Sequence, residues 1–293
     1  MTSADDVERT ITEMQPLILL GMHRSGTSLM VRLLADVGVH MGRRLSRDAE
    51  DIFFQKLNRR IYGALGVRWG YVAPLLEAMR NPRFVDRQTE RMRRALFSSR
   101  RPWSAAPGIV DFFGATLWQR VQEGEPLPWG WKDPRTSLTF PIWLQIFPRA
   151  RVVHVLRNGI DVAISTHRRS QKQQARFWTR TLKLDYCPIT LDFQYCFQLW
   201  EEHVSFVLEH RRLIPDEQYL EVRYEELLAA PVAELDRITS FIGYPLPEPV
   251  LRAACQRVDQ TRLDNSRYAA PYLEEISSLA SSSLMQQLGY EYG

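Results

Sequence analysis

Residues 16–30, PLILLGMHRSGTSLM, combine an apolar run, a glycine-bounded loop and the start of an amphipathic segment. The run at 17–20 is suited to a buried strand, and Gly21 and Gly26 bracket a tight turn. The unpaired N–H groups and the dipole at the start of a helix attract an anion, and Arg24 adds a fixed positive charge. The segment after the turn has the apolar residues of such a helix, at Leu29, Val31, Leu33, Leu34 and Val37. We therefore expect a phosphate-binding strand, loop and helix here.

The loop departs from the pattern that binds nucleoside triphosphates, G-x-x-x-x-G-K-[ST], in which the lysine contacts the β- and γ-phosphates. Gly21 and Gly26 have the required spacing, but Thr27 stands at the lysine position, and Arg24 is the cation inside the loop. A conventional ATPase or kinase is therefore disfavoured. The sequence RSGTS at 24–28 instead resembles the 5′-phosphosulfate loop of sulfotransferases that use 3′-phosphoadenosine 5′-phosphosulfate (PAPS).

A second motif follows the β-branched run RVVHVL at 151–156, which predicts a strand. Asn158 and Asp161 are spaced like the cap and the third residue of a new helix. RNGIDVAIS resembles the sulfotransferase segment in which an Arg at the strand end and a Ser eight residues later hold the 3′-phosphate, so Arg157 and Ser165 are candidates. In the alternative interpretation, Arg157 pairs with Asp161 and Ser165 is an ordinary helix serine.

Two further motifs complete the resemblance, in the order that the family shows. Lysine is scarce in this chain, yet Lys132 occurs in WGWKDPRT, and tyrosylprotein sulfotransferases carry a comparable K-D-P segment. A compact ammonium suits a point contact with a bridging phosphosulfate oxygen, so Lys132 is a candidate electrophilic catalyst; the alternative is a pair with Asp133. In QYLEVRYEELL at 218–228, Tyr224 either lines the cofactor site or simply packs.

The resemblance, to bacterial-type sulfotransferases, implies in-line transfer of a sulfuryl group from PAPS to an acceptor hydroxyl or amine. Adenosine 3′,5′-bisphosphate (PAP) is the product, and no metal is required. Lys132 and Arg24, with the N–H groups of residues 26–28, would meet the charge on the leaving oxygen. The implied cofactor-binding residues are Arg24, Ser25, Gly26, Thr27, Ser28, Arg157, Ser165 and Tyr224. The other function class is a kinase-like or other nucleotide-binding P-loop protein.

The acceptor must lose a proton, and the acidic residues before IFF at 52–54 are candidate bases. We favour Glu50, followed by Asp51, with His23 in the loop as the other alternative. The acids could instead cap the helix that follows them.

The predicted fold is an α/β, P-loop-like, three-layer domain with a central parallel sheet of about four to five strands. Strands are expected at 17–21, 129–132, 151–156 and 218–222, with one more unplaced, and all four motifs lie at strand ends. The 293 residues, 45% of them hydrophobic, suit a single domain, 1–293. A helical insertion at about 45–125, with helices at 49–65 and 83–100, would help to form the acceptor pocket. Residues 189–211 should also be helical, and 171–188 form the best candidate for a mobile segment.

Composition adds weaker constraints. The chain shows no signal segment or membrane span, which favours a cytoplasmic enzyme, and its three cysteines lack metal-ligand spacing. The net charge of +4 suits a polyanionic ligand. Arg87, Arg91 and Arg94, in the basic stretch 87–101, form either a solvated face or a nucleic-acid surface; the near absence of aromatic residues argues against nucleic acid. The aromatic residues at 103–131 are expected to be core, or to line an acceptor pocket. The acceptor class and the oligomeric state are left open.

Overall fold

The computed structural model describes residues 4–101, 104–125, 127–177, 188–263 and 268–291. The strands in these ranges are β1 (Leu17–Leu20), β2 (Ser99–Arg101), β3 (Ser104–Pro107), β4 (Gly130–Lys132), β5 (Arg151–Leu156) and β6 (Tyr219–Arg223). Helices cover most of the remainder: α1 (Ala4–Glu13), α2 (Thr27–Asp36), α3 (Ile52–Gly63), α4 (Ala73–Met79), α5 (Pro82–Phe97), α6 (Val110–Phe113), α7 (Ala115–Gln122), α8 (Thr136–Ile146), α9 (Gly159–Phe177), α10 (Phe193–Glu209), α11 (Tyr224–Ala229), α12 (Pro231–Phe241), α13 (Glu248–Cys255), α14 (Leu273–Leu279) and α15 (Ser283–Gln287).

The central sheet has the strand order β4-β1-β5-β6, and every pair in it is parallel. The register pairs Leu19 with Lys132, Leu20 with His154 and Leu156 with Arg223. The carboxyl ends of the four strands therefore meet at one edge of the sheet, which is where ligands bind in open parallel sheets. The predicted α/β, P-loop-like architecture with four to five strands is confirmed, with four strands in this sheet.

The alternation of side chains along β1 explains the three layers. Ile18 and Leu20 belong to the larger core cluster on one face, whereas Leu17 and Leu19 belong to the cluster on the other face. Because both faces are covered, every residue of the strand is buried and its sequence is continuously apolar. β2 and β3 form a separate antiparallel pair.

The predicted helices are present, but their ends differ from the expected ones for local reasons. The helix expected from residue 49 begins at Ile52, because Ala49 has a left-handed φ of 54° and the Asp51 side chain caps the helix. The helix expected from residue 189 begins at Phe193, after a 3₁₀ turn at Pro188–Leu191 and a cap by Asp192. The helix expected over 83–100 ends at Phe97, before β2.

In the segment expected to be mobile, 171–188, residues 171–177 are helical and continue α9. Residues 178–187 lie outside the described part of the chain, and Pro188 begins the 3₁₀ turn. The polar composition of residues 171–174 fits their exposed or half-buried positions near the end of a long helix.

The aromatic residues that precede β4 are core. Phe112, Trp129 and Trp131 are fully or almost fully buried, and the Trp131 ring stacks on Phe54 with centroids 4.0 Å apart. Trp103 lies outside the described residues.

On α5, the basic residues Arg87, Arg91 and Arg94 are exposed, and Arg94 pairs with Glu90 at 2.6 Å. This arrangement is typical of a solvated helix face. Within the described ranges, no helix is both long and apolar enough to cross a bilayer.

Candidate active site

The loop after β1 depends on two glycines. Gly21 and Gly26 have positive φ angles of 149° and 92°, which favour glycine. A Cβ on Gly21 would lie 2.6 Å from Cγ2 of Thr27, and a Cβ on Gly26 would lie 2.1 Å from the Tyr224 ring. The amide of Gly21 donates to Oγ of Ser137 at 2.9 Å, which fixes the start of the loop. The loop therefore delivers the N-terminus of α2 to the sheet edge, as the sequence predicted.

Lys132, the last residue of β4, reaches towards this loop. Its Nζ donates to the carbonyl oxygen of Asp48 at 2.9 Å and to Oγ of Ser28 at 3.4 Å, and the Ser28 hydroxyl donates to the same carbonyl at 2.5 Å. The Lys132 side chain is only 3% exposed, and burial lowers its pKa while nearby carboxylates, Glu50 first, raise it. The ammonium is thus a desolvated charge beside the first turn of α2.

The alternative pairing of Lys132 with Asp133 is not the arrangement found. The Asp133 carboxylate instead accepts from Arg135 at 3.0 Å and from Nδ2 of Asn58 at 2.9 Å. Asn58 also donates to Thr136, so this cluster holds the start of α8 against α3.

Glu50 forms an ion pair with Lys132 at the end of β4. Its Oε1 lies 3.9 Å from Nζ of Lys132, and its Oε2 accepts a hydrogen bond from Nε2 of Gln55. Burial raises the pKa of Glu50, and the Asp133 charge raises it further, while Lys132 and Arg135 oppose the shift. A carboxylate with a raised pKa is a stronger proton acceptor, which suits a general base.

Asp51 has a structural role. Its Oδ1 accepts from the amide of Phe54 at 2.7 Å, which is the cap of α3. The capping interpretation therefore holds for Asp51. Burial raises the pKa of Asp51 to about 7.

We predict that Asp51→Asn stabilises the protein more at pH 8 than at pH 5. The folded pKa of about 7 exceeds the usual 3.8, so ionisation costs stability on the order of 1 kcal/mol per pH unit as the pH rises between these values. Asparagine resembles the neutral acid and caps helices equally well. Thermal melting at the two pH values measures the effect; an equal shift at both would contradict the raised pKa.

His23, the loop alternative for the base, packs against Trp69 with ring centroids 4.8 Å apart. Burial lowers the pKa of His23 well below 6.5, and the charges of Arg135 and Lys132 lower it further. The imidazole is therefore neutral at pH 7 and a weak base.

The end of β5 carries a second cationic site. Nη1 of Arg157 donates to the carbonyl of Arg24 at 3.1 Å, and Nη2 donates to Asp161 at 3.3 Å. The guanidinium lies over the Tyr224 ring, 4.6 Å from its centroid, and Nε of Arg24 donates to Oγ of Ser165 at 2.9 Å. The structure therefore brings Arg24, Arg157, Ser165 and Tyr224 together. The pair of Arg157 with Asp161, given above as the alternative interpretation, is present. The Tyr224 ring also packs against Gly26, so each residue makes its alternative contact within the predicted site.

One pair near the site was missed in the sequence. Arg169 binds the Asp48 carboxylate at 2.6 and 3.1 Å, and this pair joins α9 to the segment whose carbonyl accepts from Lys132. Arg169 lies four residues after Ser165, so the two share one face of the helix. This spacing is the feature of the sequence that could have identified Arg169 as a residue of the site.

The strand order explains how these groups converge. The loop after β1 lies between the ends of β4 and β5, with Lys132 on one side and Arg157 on the other. A profile of the sulfotransferase family matches residues 16–248, which include all four sequence motifs. The chain belongs to the sulfotransferase family.

One tyrosine sulfotransferase matches part of this chain at low identity. Protein-tyrosine sulfotransferase A of Caenorhabditis elegans is 26% identical over 121 residues, which are 41% of this chain and 28% of that protein. The match thus spans less than a third of that relative's length.

Two solved structures of sulfotransferases are similar to this chain over most of its length. The sulfotransferase domain from the curacin biosynthetic pathway has a TM-score of 0.50 at 16% identity, with 95% of this chain and 98% of that chain covered. A sulfotransferase of Mycobacterium avium has a TM-score of 0.46 at 16% identity, with 94% and 81% covered.

Proposed function

We propose that this protein transfers a sulfuryl group from PAPS to an acceptor hydroxyl or amine. The observation that carries the proposal is the pair of cationic sites on either side of one anion-binding loop. Arg157 is 7% exposed, and its Nε is buried without a hydrogen-bond partner among the described residues. A buried donor of this kind calls for an acceptor. A nucleotide with phosphates at both the 3′ and 5′ positions has an anionic group for each site.

A kinase-like or other nucleotide-binding function is not favoured. Thr27 replaces the lysine of the nucleotide loop, and a nucleoside triphosphate has no 3′-phosphate for Arg157 to bind. The family assignment supports the same choice.

We assign the two anionic groups of PAPS to different strand ends, that of β1 and that of β5. The loop residues Arg24, Ser25, Gly26, Thr27 and Ser28 hold the 5′-phosphosulfate, while Arg157 and Ser165 hold the 3′-phosphate. Tyr224 supports the Arg157 guanidinium through its ring face. We further propose that the chain is one catalytic domain and that it acts in the cytoplasm. The reaction needs no metal ion in this proposal, because lysine and arginine supply the positive charge.

In the proposed reaction, the acceptor oxygen or nitrogen forms a bond to sulfur while the bond from sulfur to the bridging phosphate oxygen breaks. PAP leaves with the electron pair of that bond. Lys132, Arg24 and the N–H groups of residues 26–28 stabilise the charge that develops on the leaving oxygen. Glu50 takes the acceptor's proton, with Asp51 and His23 as the alternatives.

Calorimetry with PAP and ADP tests the cofactor assignment. We expect PAP to bind much more tightly than ADP, without added Mg²⁺. Arg157→Ala should weaken PAP at least about tenfold for each hydrogen bond lost, since bonds to charged groups contribute about 1.5–3 kcal/mol. Adenosine 5′-phosphosulfate lacks the 3′-phosphate and should bind almost as before.

Equal affinity of the native protein for PAP and ADP, or an absolute need for a metal, would refute the proposed function. If Arg157→Ala folds normally but binds PAP and adenosine 5′-phosphosulfate more weakly by the same factor, Arg157 has a structural role only.

A further inference from the structure

A set of hydrogen bonds joins the residue after Arg157 to a segment far along the chain. The amide of Asn158 donates to Oε1 of Glu225 at 3.0 Å, and the hydroxyl of Tyr290 approaches Oε2 of the same carboxylate at 3.3 Å. Nδ2 of Asn158 donates to the carbonyl of Glu291 at 3.2 Å. Glu225 thus receives donors from two elements, and these contacts form a closed ring.

The same ring sets the start of α9. Oδ1 of Asn158 accepts from the amide of Ile160 at 3.0 Å, so the side chain that binds Glu291 also caps the helix carrying Ser165. A Cβ on Gly159 would lie 2.5 Å from the Trp200 ring, so the backbone has little freedom to shift here.

The segment that carries Tyr290 has an anchor of its own. Nη2 of Arg223 donates to the carbonyl of Leu288 at 2.5 Å, and the guanidinium lies 4.9 Å from the centroid of the Tyr290 ring. Tyr290 is 8% exposed, and burial raises the pKa of its hydroxyl. The hydroxyl is therefore a protonated donor held at a fixed place beside Glu225.

The position of Glu225 matters because its carboxyl group binds the backbone next to Arg157, at the proposed 3′-phosphate site. Tyr224, the preceding residue, supports the Arg157 guanidinium. Burial raises the pKa of Glu225, while the hydrogen bond from the Asn158 amide and the Arg157 charge oppose the shift. The Glu225 carboxyl group accepts from the amide next to Arg157, so a change in its orientation would move the strand end that carries the guanidinium. The donors from Asn158 and Tyr290 hold the carboxyl group in its present orientation.

We infer that Tyr290 is a positioning residue for the proposed 3′-phosphate site, and that residues 288–291 form part of the structure that binds PAPS. The inference rests on the proposed function. The Tyr290 hydroxyl orients Glu225, Glu225 holds the backbone amide of Asn158, and that contact fixes the strand end from which Arg157 faces the proposed 3′-phosphate site.

The test is Tyr290→Phe, which removes one hydroxyl and leaves the ring beneath Arg223. We expect the variant to bind PAP about fivefold to tenfold more weakly, to bind ADP unchanged, and to show a raised KM for PAPS with little change in kcat. Tyr219→Phe is the matched control. That hydroxyl bonds Nδ1 of buried His154 at 2.8 Å, and its ring lies under Arg211, but it stands at the opposite end of β6.

A double variant tests whether the two residues act through one network. Glu225→Ala should also weaken PAP selectively, and adding Tyr290→Phe to it should cost nothing more, because the hydroxyl then has no carboxylate to orient. Unchanged PAP binding in Tyr290→Phe, or equal weakening of PAP and ADP, would overturn the inference. A native protein without a preference for PAP would instead refute the proposed function, and the inference with it.

Discussion

Glu50→Gln should lower turnover by about 10²–10⁴-fold and leave PAP affinity almost unchanged. The amide keeps the size of the side chain and can still accept from Gln55, but it cannot take a proton. In the native enzyme, kcat should fall as the pH drops through the raised pKa of Glu50, at a higher pH than for an ordinary glutamate. The variant should lose that acidic limb. Initial rates at saturating PAPS, measured across pH, check both statements.

Asp51→Asn is the matched control for this experiment, because it neutralises the adjacent carboxyl while asparagine keeps the cap of α3. Its turnover should stay close to that of the native enzyme. Normal turnover in Glu50→Gln would exclude Glu50 as the base, and Asp51 and His23 would then be tested by the same measurement.

The sheet was predictable because each of its main strands is a short apolar segment that can be identified from its own sequence. Leu17–Leu20 is apolar throughout and Arg151–Leu156 is apolar apart from Arg151 and His154, which is typical of strands covered on both faces. The start of α3 was less predictable. From the sequence, Asp51 is a candidate either for the base or for a helix cap, and its capping bond together with the left-handed Ala49 explains why the helix begins at Ile52.

The site was predictable where a motif is compact in sequence. Arg157 and Ser165 share one strand end and helix, and they do come together with Arg24. The sequence does not show which distant segments meet, even where a helix spacing, as for Arg169 after Ser165, places a side chain on the face of the site. The Arg169–Asp48 pair joins residues 121 positions apart, and the contact of Tyr290 with Glu225 joins residues 65 positions apart. Such contacts follow from the packing of the whole domain and not from local propensity.

The other large effect is expected at Lys132. Its ammonium is held by the Asp48 carbonyl and Ser28 hydroxyl and lies 3.9 Å from Glu50, so it is already oriented before the leaving oxygen develops charge. Lys132→Ala removes this preorganised charge and should lower turnover by about 10²–10³-fold. It should also weaken PAPS binding, because the ammonium contacts the donor before reaction, whereas Glu50→Gln should not.

The comparison with Lys132→Arg separates charge from geometry. The side chain of Lys132 is 3% exposed, so the larger planar guanidinium has little room and presents its charge differently. Arginine should therefore fail to restore the native rate. Lys56→Ala, which removes an exposed lysine of α3, controls for the general loss of a positive charge and should remain active. Rates and PAP affinities of the three variants measure the difference. Full activity in Lys132→Ala would show that the Lys132 ammonium takes no part in the chemistry, because alanine has no charged group at this position.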